Sequence, residues 1–207
     1  MVMIAFTVAL GVSLATAMMN VMLGVGDKVN KELKTYGANI TVMHKDASIL
    51  DDLYGIHGED VSDKFLLEEE IPKVKQIFWG FNIVDFAPYL ERSIEVKGFL
   101  EKVKIYGTWF HHHLVMPTGE ELDTGIKNLK NWWEVKGEWL EEEDENEIML
   151  GSLLAGKYNY QVGDTLEFTS DSGIKKLKIK GIFNSGGDDD SSIYANLKTV
   201  QDLFDLK

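Results

Sequence analysis

No charged side chain occurs between Met1 and Gly26, and that run constrains everything else the chain can be. As an α-helix it would be about 30 Å or more in length, which matches the hydrocarbon thickness of a bilayer. A secretory signal peptide has a basic start, a shorter apolar core and a small-residue cleavage site ahead of a polar mature start. Here the apolar residues begin at Met1 itself, so residues 1–26 read as a transmembrane helix. Ala5, Thr7, Ala9, Gly11, Ser13, Ala15, Thr16 and Ala17 crowd its first half, and such residues let helices approach closely in lipid. The expectation is a helix that packs against others this sequence does not contain.

Beyond the run, Asp27, Lys28, Lys31, Glu32 and Lys34 make a polar flank. Three lysines there argue for a cytoplasmic side, but the sequence has no opposite flank to weigh against them. Residues 27–37 are expected to continue the helix as a stalk, with Gly37 as its C-terminal cap.

The soluble remainder carries most of 34 acidic and 21 basic residues, a net charge of −13 for the whole chain. That charge repels a phosphate backbone, so no nucleic-acid partner is expected. The absence of cysteine removes disulfides, thiolate zinc sites and cysteine nucleophiles together.

Residues 38–43 alternate as a strand, and 45–63 form a polar excursion rich in Asp, Gly and Ser. A short amphipathic helix is expected over 71–78, with Pro72 near its start. Strands over 82–88, 91–99 and 102–108 should form a meander. Residues 119–131 are weakly helical or looped, and the Trp132–Trp139 segment opens a second unit. That unit has strands over 147–150, 165–169 and 175–183, with helices over 152–158 and about 197–204.

Three segments carry apparent chemistry. Gly151 to Lys157 matches the phosphate-loop spacing G-x-x-x-x-G-K, but Tyr158 stands where a Ser or Thr must hold magnesium. A structural turn with a core-packed helix is the reading adopted. Ser185 to Ser192 includes Asp188, Asp189 and Asp190 but lacks the alternate spacing and distal Glu of a calcium loop, so a solvated hairpin turn is expected. His111, His112 and His113 are adjacent; on a strand His111 and His113 share a face and both could ligate a metal. Trp79, Phe81, Trp109, Phe110, Trp132, Trp133 and Trp139 are expected in the core.

One resemblance joins these pieces. The first helix leading into Gly24–Lys28 and then Leu33–Val42 resembles the start of FtsX/MacB-like ABC transporter permeases. Trp133–Trp139, Ile148–Ser152 with Leu154 and Ala155, Val162–Leu166, Lys178–Ile182, and Gly186 and Gly187 through Ile193, Tyr194, Leu197 and Gln201 resemble that family's periplasmic core domain in the same order. The resemblance covers nearly the whole chain. It implies an α+β fold: a transmembrane and stalk helix, then a two-lobed extracytoplasmic domain with a mixed α/β lobe at 38–131 and a mostly β lobe at 132–207. Part of the C-terminal segment would return to the first lobe.

The same resemblance implies a permease subunit in the cell (inner) membrane with residues from about 38 onwards extracytoplasmic. It implies a coupling role and not an enzyme, with no catalytic residue and no cofactor, and ATP hydrolysis in a separate ABC ATPase subunit. Further partners would be a second permease copy or a related permease, and an extracytoplasmic protein. The alternative is a membrane-anchored extracytoplasmic ligand- or metal-binding module served by His111 and His113. A tethered hydrolase has only the acidic clusters in its favour.

Overall fold

The apolar run forms helix α1, Val2–Thr35, without a break. The structure is a computed structural model that describes residues 2–35, 40–44, 65–116, 119–170 and 173–206. It separates into two compact units, Met1–Gly37 and Ala38–Lys207. Within α1, Met3–Val25 is a 23-residue stretch long and apolar enough to cross a membrane. Its Thr7 and Thr16 hydroxyls donate to the carbonyls of Met3 and Val12, both at 2.8 Å. Such back-bonding is how a helix keeps hydroxyls satisfied where water is absent. The expected cap at Gly37 lies outside the described residues, as does the excursion at 45–63.

The second unit is built on one sheet. Its strands are β1 Tyr89–Val96, β2 Val103–Thr108, β5 Glu134–Gly137, β6 Glu147–Gly151, β7 Thr165–Ser170, β8 Gly173–Asn184 and β9 Ile193–Asn196, in the order β5-β8-β6-β9-β2-β1-β7. Because β7 also pairs β8, six of the seven strands close into a ring, with β5 outside it on the second half of β8. A separate two-stranded hairpin holds β3 His112–Val115 and β4 Glu121–Thr124. Among the described residues the unit also has three short α-helices, α2 Ile126–Leu129, α3 Ser152–Tyr158 and α4 Leu197–Leu203. The chain is therefore α+β, an apolar N-terminal helix followed by a sheet-rich body. The sheet draws β1 and β2 from before residue 131 and β5 to β9 from after it.

Strand alternation gives the sheet a core on each face. One contains Ile94, Ile105, Ile148, Leu150, Phe168, Leu177, Ile179, Ile193 and Ala195, covered by Leu154 of α3 and Val200 and Leu203 of α4. The other contains Met149, Phe183 and Tyr194 with Phe110, Ile126, Trp133 and Leu140. On β8, Leu177 and Ile179 face the first core, yet Phe183, also odd-numbered, faces the second. The reason is a bulge: Ile148 pairs Ile179 but Met149 pairs Gly181, so Lys180 is an extra residue that inverts the alternation. Gly107 lets α4 press onto β2, since a Cβ there would lie 2.8 Å from the Val200 Cβ.

Several expectations are corrected. The helix expected over 71–78 is a 3₁₀ helix, Glu68–Gln76, with Pro72 inside it; a proline without an N–H suits that poorer ladder better than an α-helix. No strand forms over the described residues 40–43. Nor does one form over 83–88, where the Phe86 N–H donates to the Asp85 carboxylate and the Thr124 hydroxyl instead of to a neighbouring strand. The meander is thus one hairpin, β1 with β2, and the next neighbour of β2 is β9, parallel to it. The looped stretch at 119–131 contains β4 and α2.

Candidate functional site

The three segments with apparent chemistry resolve differently once folded. In the phosphate-loop lookalike, Gly151 ends β6 and α3 starts at once, so the five residues that would cradle a phosphate are helical. Leu154 and Ala155 are buried in the core. A Cβ on Gly151 would come within 2.2 Å of the Asp190 carbonyl oxygen, an acceptor where a phosphate needs donors. Tyr158 stacks on Phe99 at 3.9 Å and accepts the Leu100 N–H at 3.2 Å. The expected core-packed turn and helix is what stands there.

The aspartate segment is not a solvated hairpin turn. β8 and β9 flank β6 in the sheet, so the loop joining them must cross over the end of β6, and that crossing is what presses Asp190 against Gly151. A 3₁₀ helix, Asp188–Ser191, makes the crossing. Asp190 is buried, and its carboxylate accepts the Ser185 N–H at 2.6 Å and the Gly186 N–H at 3.3 Å. Asp189 accepts from the Lys130 ammonium at 2.7 Å and from the Tyr194 hydroxyl at 2.8 Å. Lys130 lies 4.7 Å from the Trp133 ring centroid and 5.3 Å from that of Tyr194, a cation held between aromatic faces. Burial, reinforced by Asp189, pushes the Tyr194 phenol far above its usual range, so it stays a donor. Lys130 is the residue that sequence reasoning missed; its partners are 59 and 64 positions away.

The histidine run starts the β3–β4 hairpin. His113 faces Asp123 across the pair, with Nδ1 2.7 Å from Oδ1 and Nε2 3.9 Å from the Glu121 carboxylate. His112 points elsewhere: it stacks on Trp109 at 4.1 Å and meets Glu142 at 2.8 Å through Nδ1. His111 is exposed. The hydrogen bond with Asp123 raises the His113 imidazole above its ordinary range. In return His113, with a smaller contribution from His111, lowers the Asp123 carboxyl. Among the described residues no group of three or more His, Asp and Glu side chains is placed to hold a metal ion.

The expected aromatic core divides. Phe110 and Trp133 are buried, Trp109, Trp132 and Trp139 are half-buried, but Trp79 and Phe81 stand in solvent. A cavity of about 470 Å³ opens between the β1–β2 turn and the β7–β8 hairpin and is lined by residues including Glu95, Phe99 and Ile174.

An apolar helix long enough to span a bilayer, followed in sequence by a sheet-rich unit, fits the α+β class that the resemblance implies. No curated protein matches the chain. The family described as MacB-like periplasmic core domain matches residues 1–206, nearly the entire sequence. The chain belongs to that family, the periplasmic core domain of ABC transporter permeases.

Proposed function

We propose that this chain couples ATP hydrolysis by a cytoplasmic ABC ATPase subunit to transport or mechanical signalling outside the membrane. The observation that carries the reading is α1: it runs unbroken from Val2 to Thr35, ten residues past the end of the apolar stretch at Val25. A continuous hydrogen-bonded helix is stiff, and stiffness is what a rod needs to pass a displacement from lipid to a folded domain. On this reading residues from about 38 onwards lie outside the membrane and a second permease copy or a related permease completes the assembly. The catalytic work belongs to the ATPase. An extracytoplasmic protein would receive the motion.

The test is co-purification from membranes of the full gene product with an adjacent ATPase, followed by ATPase and transport measurements with the helix broken at Val29→Pro. Coupling that survives the break would overturn the reading. The domain divides into lobes at 38–131 and 132–207 on the same reading. Limited proteolysis tests it: because both lobes contribute strands to one sheet, cleavage near residue 131 should leave two pieces that stay associated, and cleavage confined to other sites would count against the division.

The metal-binding alternative rests on His113 facing Asp123 and Glu121 across the β3–β4 hairpin, with His111 just before β3. It predicts saturable zinc or nickel binding by calorimetry, abolished by His111→Ala with His113→Ala.

A further inference from the structure

The 3₁₀ helix Glu68–Gln76 leads into an aromatic knob that is exposed among the described residues. Residues 76–84 carry no charge, in a chain whose net charge is −13. Phe78 is 82% exposed, Trp79 60%, Phe81 73% and Val84 84%. Contiguous exposed apolar surface of this kind marks a contact with something else.

The knob is built, not frayed. A second 3₁₀ turn, Gly80–Asn82, is closed by hydrogen bonds from the Gly80 N–H to the Ile77 carbonyl at 2.8 Å and from the Asn82 N–H to the Trp79 carbonyl at 2.9 Å. Gly80 is buried against the Lys75 carbonyl, where a Cβ would approach to 2.1 Å. Phe78 meets Trp79 edge to face at 4.8 Å, and Trp79 meets Phe81 at 5.9 Å. The three rings are thereby held outward together.

The flanking charges are turned away from the tip. The Lys75 ammonium donates to the Ile83 carbonyl at 2.7 Å. Asp85 is occupied by the Phe86 and Gly125 N–H groups and the Thr124 hydroxyl. What remains at the tip is uncharged and exposed, and the described residues 77–88 form no strand. That chemistry fits a soft apolar medium with a polar boundary, which Trp and Phe favour. The same molecule carries a membrane-spanning stretch in α1, so a bilayer surface is always at high effective concentration.

We infer that Phe78, Trp79 and Phe81 form an interfacial anchor that docks the core domain on the surface of the bilayer. The anchor rests on the membrane tether and not on coupling to an ATPase. Since the burial is apolar, docking depends little on the fraction of anionic lipid.

The chain has no cysteine, so single reporters can be placed cleanly. Phe81→Cys and, separately, Phe78→Cys are spin-labelled in the full chain, reconstituted in phosphatidylcholine vesicles with and without phosphatidylglycerol. Leu100→Cys, at a site 86% exposed on the β1–β2 turn, is the control. Collision with oxygen should exceed collision with a water-soluble nickel chelate several-fold at positions 78 and 81, with the reverse at 100. Labels at 78 and 81 as open to the nickel chelate as the label at 100 would overturn the anchor. So would labels shielded from both reagents; disulfide-linked dimers of unlabelled Phe81→Cys would then assign the knob to a second copy, and their absence to another protein. None of these readouts depends on ATPase coupling.

Discussion

At the scale of single residues, partners far apart in sequence determine what each titratable group does. His113 has a raised pKa because it hydrogen-bonds Asp123. A raised folded-state value means that the pair supports the β3–β4 hairpin fully below the imidazole's unfolded pKa and loses that support as pH rises through the folded one. A proton NMR titration should give His113 a midpoint above the usual imidazole value, and Asp123→Asn should return it towards normal. Asp190 accepts two amides while buried, so Asp190→Ala should destabilise the chain by about 1–3 kcal/mol in thermal unfolding. The adjacent aspartates suggested a solvated turn because nothing local distinguishes them. Only the crossing over β6 makes one a backbone acceptor and its neighbour the partner of Lys130.

Among elements, β6 and α3 show how one sequence pattern can hold two glycines with opposite roles. Gly151 touches the Asp190 carbonyl, whereas a Cβ on Gly156 in α3 would meet nothing within 4 Å. Gly151→Ala should therefore cost about 1–3 kcal/mol through forced overpacking. Gly156→Ala should stabilise by roughly 0.5–1 kcal/mol through helix propensity. Denaturant unfolding of the two variants measures both signs. The helix at 152–158 and the strands at 147–151 and 165–170 were legible because their apolar patterns are local and uninterrupted. The segment 82–88 has strand-forming residues but no ladder; Asp85 instead accepts the Phe86 N–H and, from the neighbouring loop, the Gly125 N–H.

For the whole molecule, the continuity of α1 is the property most open to challenge. Val29→Pro removes a helix hydrogen bond and adds a steric clash, a local cost of about 3 kcal/mol or more. It should leave unfolding of the sheet-rich unit unchanged while reducing transport coupled to ATP hydrolysis. ATPase activity measured alongside transport separates uncoupling from loss of the complex. The shared sheet makes a related prediction. Because β2 pairs β9 and β6 lies between β8 and β9, residues 89–108 and 134–196 should unfold in a single cooperative transition.

The sequence by itself determined the membrane helix, its continuation past Gly26, the α+β class and the family, since each rests on composition, local periodicity or an ordered set of short patterns. Tertiary structure alone decided which strands are neighbours. The β2–β9 pairing joins residues nearly ninety positions apart, and period-two alternation says that a strand has two faces without saying what covers either. It also decided where the tryptophans lie. Trp133 and Trp79 look equivalent in the sequence, yet one is stacked on Phe183 and the other is held out by a turn that closes on Gly80. Burial is set by what the chain brings to a residue from elsewhere, and a linear sequence does not state that distance.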